Sequence, residues 1–165
     1  DGATPVFMAA QNGHDTCLQR LVDAKADVNQ ARQHGATPVF IAAQKGHDTC
    51  LMRLIDAGTN VNQATQDGAT PVFIAAHNGH DTCVQRLVDA KADVNQAKQD
   101  GATPVLIAAG KGHDTCLPLV IAAQNGHERA SLRFRWHVAS SITRQRRFWR
   151  QPEHARKPIK TKANS

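Results

Sequence analysis

A thirty-three-residue period dominates the chain. Asp-Gly-Ala-Thr-Pro-Val-Phe opens at Asp1 and returns at His34 with His in place of Asp. It returns again at Asp67 and, ending in Leu, at Asp100. Residues 1–33 and 67–99 differ at four positions only: Met8/Ile74, Gln11/His77, Leu18/Val84 and Arg32/Lys98. A fixed period of this size predicts a solenoid. One such unit is too small to bury its own apolar face, so it gains stability by stacking on its neighbours. The stack presents a long shaped surface, and such a surface suits binding.

One period read physically gives two helices. In residues 67–99, Asp67-Gly68-Ala69 is turn chemistry. Thr70 before Pro71 reads as an N-cap followed by proline at the first helical position. Val72, Ile74, Ala75 and Ala76 make a short helix, which Asn78-Gly79 ends. His80 and Asp81 begin a second helix. Its Cys83, Val84, Leu87 and Val88 recur at helical spacing as one apolar stripe. Ala92-Asp93-Val94-Asn95 then leads through a polar link to the next Asp-Gly turn.

The 41% apolar content is ordinary, and with 4% aromatics and no Tyr it describes a core of Val, Ile, Leu and Ala. No run of eighteen apolar residues is present, which excludes a membrane-spanning helix. No basic-then-apolar leader is visible, and the chain starts in register at the first repeat position without a Met. It therefore reads as a fragment of a longer array. The net charge of +6 is split: residues 1–128 carry 9 Lys/Arg against 13 Asp/Glu, and residues 129–165 carry 11 against 1. An acidic body with a strongly basic tail follows.

Cys17, Cys50, Cys83 and Cys116 are thirty-three residues apart. Equivalent points on stacked helices lie roughly 8–10 Å apart, and a disulfide needs Cα atoms within about 7 Å. Buried free thiols in a reducing compartment are the expectation. The recurring Gly-His-Asp-Thr-Cys also poses two sharper readings, a zinc site and a Cys-His nucleophile. Zinc needs about four converging ligands, and stacking sets each His/Cys pair beside its copy. Helix-start histidines and core thiols are the plainer reading. His14, His47, His80 and His113 are expected to do little as pH sensors. No phosphate-cradling Gly loop, carboxylate pair or Ser/His/Asp set is present, so neither catalysis nor a small-molecule substrate or cofactor is expected.

Helix, Gly turn, helix and polar link in thirty-three residues resemble the ankyrin repeat. The family pattern T-P-L-H-x-A stands here as Thr4-Pro5-Val6-Phe7-Met8-Ala9, Thr37-Pro38-Val39-Phe40-Ile41-Ala42, Thr70-Pro71-Val72-Phe73-Ile74-Ala75 and Thr103-Pro104-Val105-Leu106-Ile107-Ala108. Its Gly-His start of the second helix is Gly13-His14, Gly46-His47, Gly79-His80 and Gly112-His113. Its Asp-Val-Asn exit is Asp27-Val28-Asn29, Asn60-Val61-Asn62 and Asp93-Val94-Asn95. The resemblance implies an all-α solenoid over residues 1–128, in units 1–33, 34–66, 67–99 and an abnormal 100–128. Residues 129–165 are then a basic, largely disordered tail.

Two departures from the family pattern carry consequences. Its histidine is Phe7, Phe40, Phe73 and Leu106, so apolar contact must replace an inter-repeat hydrogen bond. Its Gly at the end of the second helix is Lys25 and Lys91, with Gly58 normal. A left-handed Lys costs on the order of 1 kcal/mol. The fourth unit also breaks: Pro118-Leu119-Val120-Ile121-Ala122-Ala123 resembles a first helix joined directly to a second. Cys116, Leu117, Val120 and Ile121 keep the stripe spacing, so one helix over residues 114–124 is expected, with Pro118 outward.

The resemblance implies protein–protein binding on a concave side of turn tips and first helices. Carried over, those positions are Gln33, His34, Ala36, Gln44 and Lys45, then Gln66, Asp67, Ala69, His77 and Asn78, then Gln99, Asp100, Ala102, Gly110 and Lys111. The partner is another protein, and the compartment is cytoplasmic or nuclear. The tail supplies a competing reading. Arg144, Arg146, Arg147, Trp149 and Arg150 interleave charge with an aromatic ring, which suits nucleic acid. A third reading is an inert fragment.

Overall fold

The structure, a computed structural model, describes residues 2–124. Eight α-helices lie among the described residues: α1 Pro5–Asn12, α2 Asp15–Asp23, α3 Pro38–Lys45, α4 Asp48–Asp56, α5 Pro71–Asn78, α6 Asp81–Asp89, α7 Pro104–Lys111 and α8 Cys116–Gln124. They pair as antiparallel helix–turn–helix units. First helices stack as α1, α3, α5, α7 and second helices as α2, α4, α6, α8.

Local chemistry sets each first helix. Thr4, Thr37, Thr70 and Thr103 are extended N-caps, and their hydroxyls accept from the N–H of Phe7, Phe40, Phe73 and Leu106 at 3.1–3.3 Å. Proline follows at the first helical position, where its missing N–H costs nothing. Thr37 and Thr70 are buried, so the cap bond also satisfies a hydroxyl removed from water. The core is mostly aliphatic, with Val6, Leu18, Val39, Leu51, Leu54, Val72, Val84, Leu87 and Val120 fully buried. Phe7, Phe40 and Phe73 join it, so the few aromatics are core residues too.

The second helices end as the sequence requires. Lys25 and Lys91 adopt φ 60° and 63°, and Gly58 takes φ 80°. Ala92 N–H closes back on Leu87 O at 2.9 Å, as Ala26 does on Leu21 O. The two lysines are thus held left-handed by a completed helix-end motif.

Three expectations are corrected. Helix α8 starts at Cys116, two residues later than its counterparts at Asp15, Asp48 and Asp81. Pro118 explains the shift. A start at Asp114 would put proline one turn inside, where a backbone N–H is needed. Starting at Cys116 puts it at the third helical position, among N–H groups that lack partners anyway. Pro118 is also buried, not outward. Cys116, Leu117 and Val120 are buried as expected, and Ile121 is half-buried like Val88.

The third correction concerns the thiols. Cys50, Cys83 and Cys116 are buried, but Cys17 is exposed. Each buried thiol faces the second helix of the preceding unit, feeling Asp15, Asp48 and Asp81 respectively. Among the described residues no helix covers that side of α2.

Candidate functional site

The links between units form the rim of the candidate face. Each is a tight hairpin: Arg32 N–H bonds Ala36 O, Thr65 N–H bonds Ala69 O and Lys98 N–H bonds Ala102 O, all at 2.9 Å. Gly35 and Gly68 turn the tips at φ 82° and 86°. A Cβ on either would come within 3.1 Å of the next tip's backbone, and the positive φ strains any other residue, so glycine is favoured twice over.

The tips are then tied to one another. Gln66 N–H donates to His34 O at 3.0 Å and its side chain to Gln33 O at 2.9 Å. Gln99 repeats this on Asp67 O at 3.1 Å and Gln66 O at 2.7 Å. The Gln33, Gln66 and Gln99 positions thus join the rim into one ladder, and the Gln66 and Gln99 side chains serve as its rungs.

Charge concentrates at the third and fourth tips. Lys98 Nζ lies 3.1 Å from Asp67 and 3.5 Å from Asp100. The Thr65 hydroxyl, then Lys98, hold the Asp67 carboxyl below its ordinary value. The Ala102 N–H, then Lys98, do the same for Asp100. Bonding to Asp67 raises Lys98. Lys98 also sits 5.6 Å from the Phe73 ring centre, and Arg32 sits 5.2 Å from that of Phe7. These cation–ring contacts fix two cations at the face.

Below the rim lies an apolar floor. Phe40, Ala69 and Phe73 form a buried cluster with Ala36, Ile74, Ala102 and Ile107 partly exposed against it. Ala69 is 5% exposed and supports this floor from beneath, which removes it from the candidate contact residues. Leu106 replaces the phenylalanine of earlier units and is 61% exposed; Met8 is 45% exposed. Gln33, His34, Gln66, Asp67, Gln99 and Asp100 are exposed on the rim. Ala36 and Ala102 are half-buried.

The far edge is built from the ends of the first helices. Lys45, Asn78, Gly110 and Lys111 are exposed there, with Gln44 and His77 half-buried. Asn78 donates its amide to Gln44 O at 2.8 Å and accepts at Oδ1 from His77 Nδ1 at 2.8 Å. The His77 ring stacks on Phe73.

The helix-start histidines do more than the sequence revealed. His47, His80 and His113 donate from Nε2 to Gln11 O at 3.2 Å, Gln44 O at 3.2 Å and His77 O at 2.9 Å. A carbonyl only accepts, so Nε2 carries the proton. Each joins its unit to the one before. The usual first-helix histidine is replaced by Phe, and this second set supplies a polar inter-unit bond while Phe40 and Phe73 supply apolar contact. The sequence carries no local signal for these bonds, since the thirty-three-residue period alone sets every such histidine thirty-four residues after a Gly. On the second helices, Arg53 pairs with Asp15 at 3.3 Å and bonds Gln19; Arg86 pairs with Asp48 at 3.2 Å.

Among the described residues no three His, Cys, Asp or Glu side chains gather as a metal site, and no helix is long and apolar enough to cross a membrane. Arg144, Arg146, Arg147, Trp149 and Arg150 lie outside the described residues.

Stacked helix pairs tied by hairpin tips define a helical repeat protein. The family described as Ankyrin repeats (3 copies) matches residues 1–65 and again residues 40–128, and the chain belongs to the ankyrin repeat family. Ankyrin repeats generally serve as non-enzymatic protein–protein interaction modules. No curated protein matches the chain.

Proposed function

We propose that the array binds another protein along the face made by the hairpin tips and first helices, without catalysis, in the cytoplasm or nucleus. The observation that carries this is a partly exposed apolar floor: Ala36, Ile74, Ala102 and Ile107 pack on the buried Phe40–Ala69–Phe73 cluster, and Leu106 on α7 is 61% exposed. It lies between two polar edges. A partner that covered it would remove apolar surface from water while its polar groups met the rim. The rim needs no rebuilding on contact, because the Gln66 and Gln99 rungs already hold it. Ile74→Glu and Leu106→Glu test the reading. Each should leave the circular dichroism unchanged and weaken partner capture at least about tenfold. Equal capture by both variants would place the contact elsewhere.

A second reading rests on the charge of residues 129–165, with 11 Lys/Arg against 1 Asp/Glu and two Trp. That composition favours polyanions such as nucleic acid, with affinity falling steeply as salt rises. Binding of single-stranded DNA by the full chain, compared with a chain lacking residues 129–165, decides it.

A further inference from the structure

We infer that the partner segment on the tip-and-first-helix face is acidic: an extended peptide with apolar side chains and carboxylates set for Lys45 and Lys111. This rests on the reading that the partner docks on that face. The face is positive within an acidic array. It carries Arg32, Lys45, Lys98 and Lys111 against Asp67 and Asp100, whereas the rest of residues 2–124 carries 9 Asp against 5 Lys/Arg. The surplus is local. Lys98 is bound to both aspartates and Arg32 lies against Phe7. Lys45 and Lys111 are exposed, and neither joins an ion pair among the described residues.

The two lysines are equivalent positions on α3 and α7, with α5 between them. First helices pack roughly 8–10 Å apart, so the two positions are about 16–20 Å apart. An extended chain rises about 3.3 Å per residue, so carboxylates about five or six residues apart reach both. The segment's apolar side chains meet Ile74 on α5 and Ile107 on α7, one turn before the register of the two lysines. A basic segment meets like charge at both lysines, which disfavours it on this face at separations under the Debye length of about 8 Å.

A display library of random sixteen-residue peptides, selected on the full chain, tests this. Selected peptides are then measured by fluorescence anisotropy on three full-length proteins: wild type, Lys45→Glu with Lys111→Glu, and Ile74→Glu with Leu106→Glu. The expected result is a pool rich in Asp or Glu and apolar residues, bound at least about tenfold more weakly by both variants, with salt weakening binding to wild type but not to the Lys45→Glu, Lys111→Glu protein. Neutral or basic peptides that lose binding only on Ile74→Glu with Leu106→Glu would overturn the acidic partner and leave the docking face standing. Acidic peptides held equally by all three proteins, as residues 129–165 would hold them, would overturn both. A library that yields no binder overturns the inference as well. Circular dichroism shows whether each variant retains its helices.

Discussion

His80 lies so close over Gly46 that a Cβ at that glycine would stand 2.7 Å from the ring, while His80 Nε2 donates to Gln44 O at 3.2 Å. The same pairing joins His47 to Gly13 and His113 to Gly79. Gly46 is also the left-handed end of α3, at φ 73°. One glycine therefore ends a helix and seats the next unit's histidine.

Gly46→Ala should cost about 2–4 kcal/mol, combining left-handed strain of about 1–2 kcal/mol with displacement of the His80 ring. His80→Ala alone should cost about 1 kcal/mol for one hydrogen bond. Because the two share a contact, the double variant should be less destabilised than the sum. Urea denaturation of the four proteins measures the cycle. Strict additivity would show that the ring and glycine are not coupled.

Lys91→Gly and Lys25→Gly should each stabilise the array by about 0.5–1 kcal/mol. Glycine relieves the left-handed strain and returns part of the gain through unfolded-chain entropy. The sites lie two units apart, so the gains should add. Gly58→Lys should do the reverse. Thermal melting checks all three, and a lower melting temperature for Lys91→Gly would contradict the assigned helix end.

Leu87→Ala should cost about 2–5 kcal/mol, because Leu87 is fully buried between stacked second helices. Arg86→Leu should change stability by less than about 1 kcal/mol. Its ion pair with Asp48 is half-exposed and so worth little. Its Nε is buried without a hydrogen-bond partner, which offsets the pair. The chain already makes this exchange: Leu119 stands in the register of Arg53 and Arg86.

Native thiol titration should find one fast group, Cys17, and three that react only after denaturation. Burial pushes Cys83 and Cys116 up to about 11. A folded-state value above the unfolded one means the folded chain holds its proton more tightly. That contribution is full below the ordinary value of 9.0 and is lost as pH rises towards 11. Stability should therefore fall over pH 9–11, and a Cys83→Ala, Cys116→Ala chain should lose much of that fall.

Most of the fold was legible because its determinants are local and repeated. Thr-Pro caps, Gly ends and the Cys83–Val84–Leu87 spacing act within one unit, so four copies state them four times. The misreadings arose where a neighbour decides. Cys17 shares the sequence context of Cys83, but among the described residues no helix covers it, and it is exposed. Ala69 shares that of Ala36, yet Phe40 and Phe73 bury it. The histidine bonds span thirty-six residues, beyond anything a local pattern encodes. Spacing alone does not show that the Gln66 and Gln99 side chains are spent as rungs between tips.

The last prediction concerns the start of α8. Asp114 and Thr115 are in a turn, and Cys116 and Leu117 N–H both reach back to His113 O at 3.2 Å. In α2, α4 and α6 the corresponding Asp and Thr are already helical. Pro118 is the difference: a helix from Asp114 would need its N–H for the Asp114 carbonyl. Gln stands at the equivalent positions 19 and 85. Pro118→Gln should therefore extend α8 back to Asp114. The Cα chemical shifts of Asp114 and Thr115 should move to helical values, and the new amide at 118 should be protected from exchange. The effect on stability is smaller, since the gained bond replaces a buried proline ring with a polar side chain. If Asp114 and Thr115 keep turn-like shifts in the variant, the Gly112–His113 corner fixes the helix start, and Pro118 merely occupies a position that corner already permits.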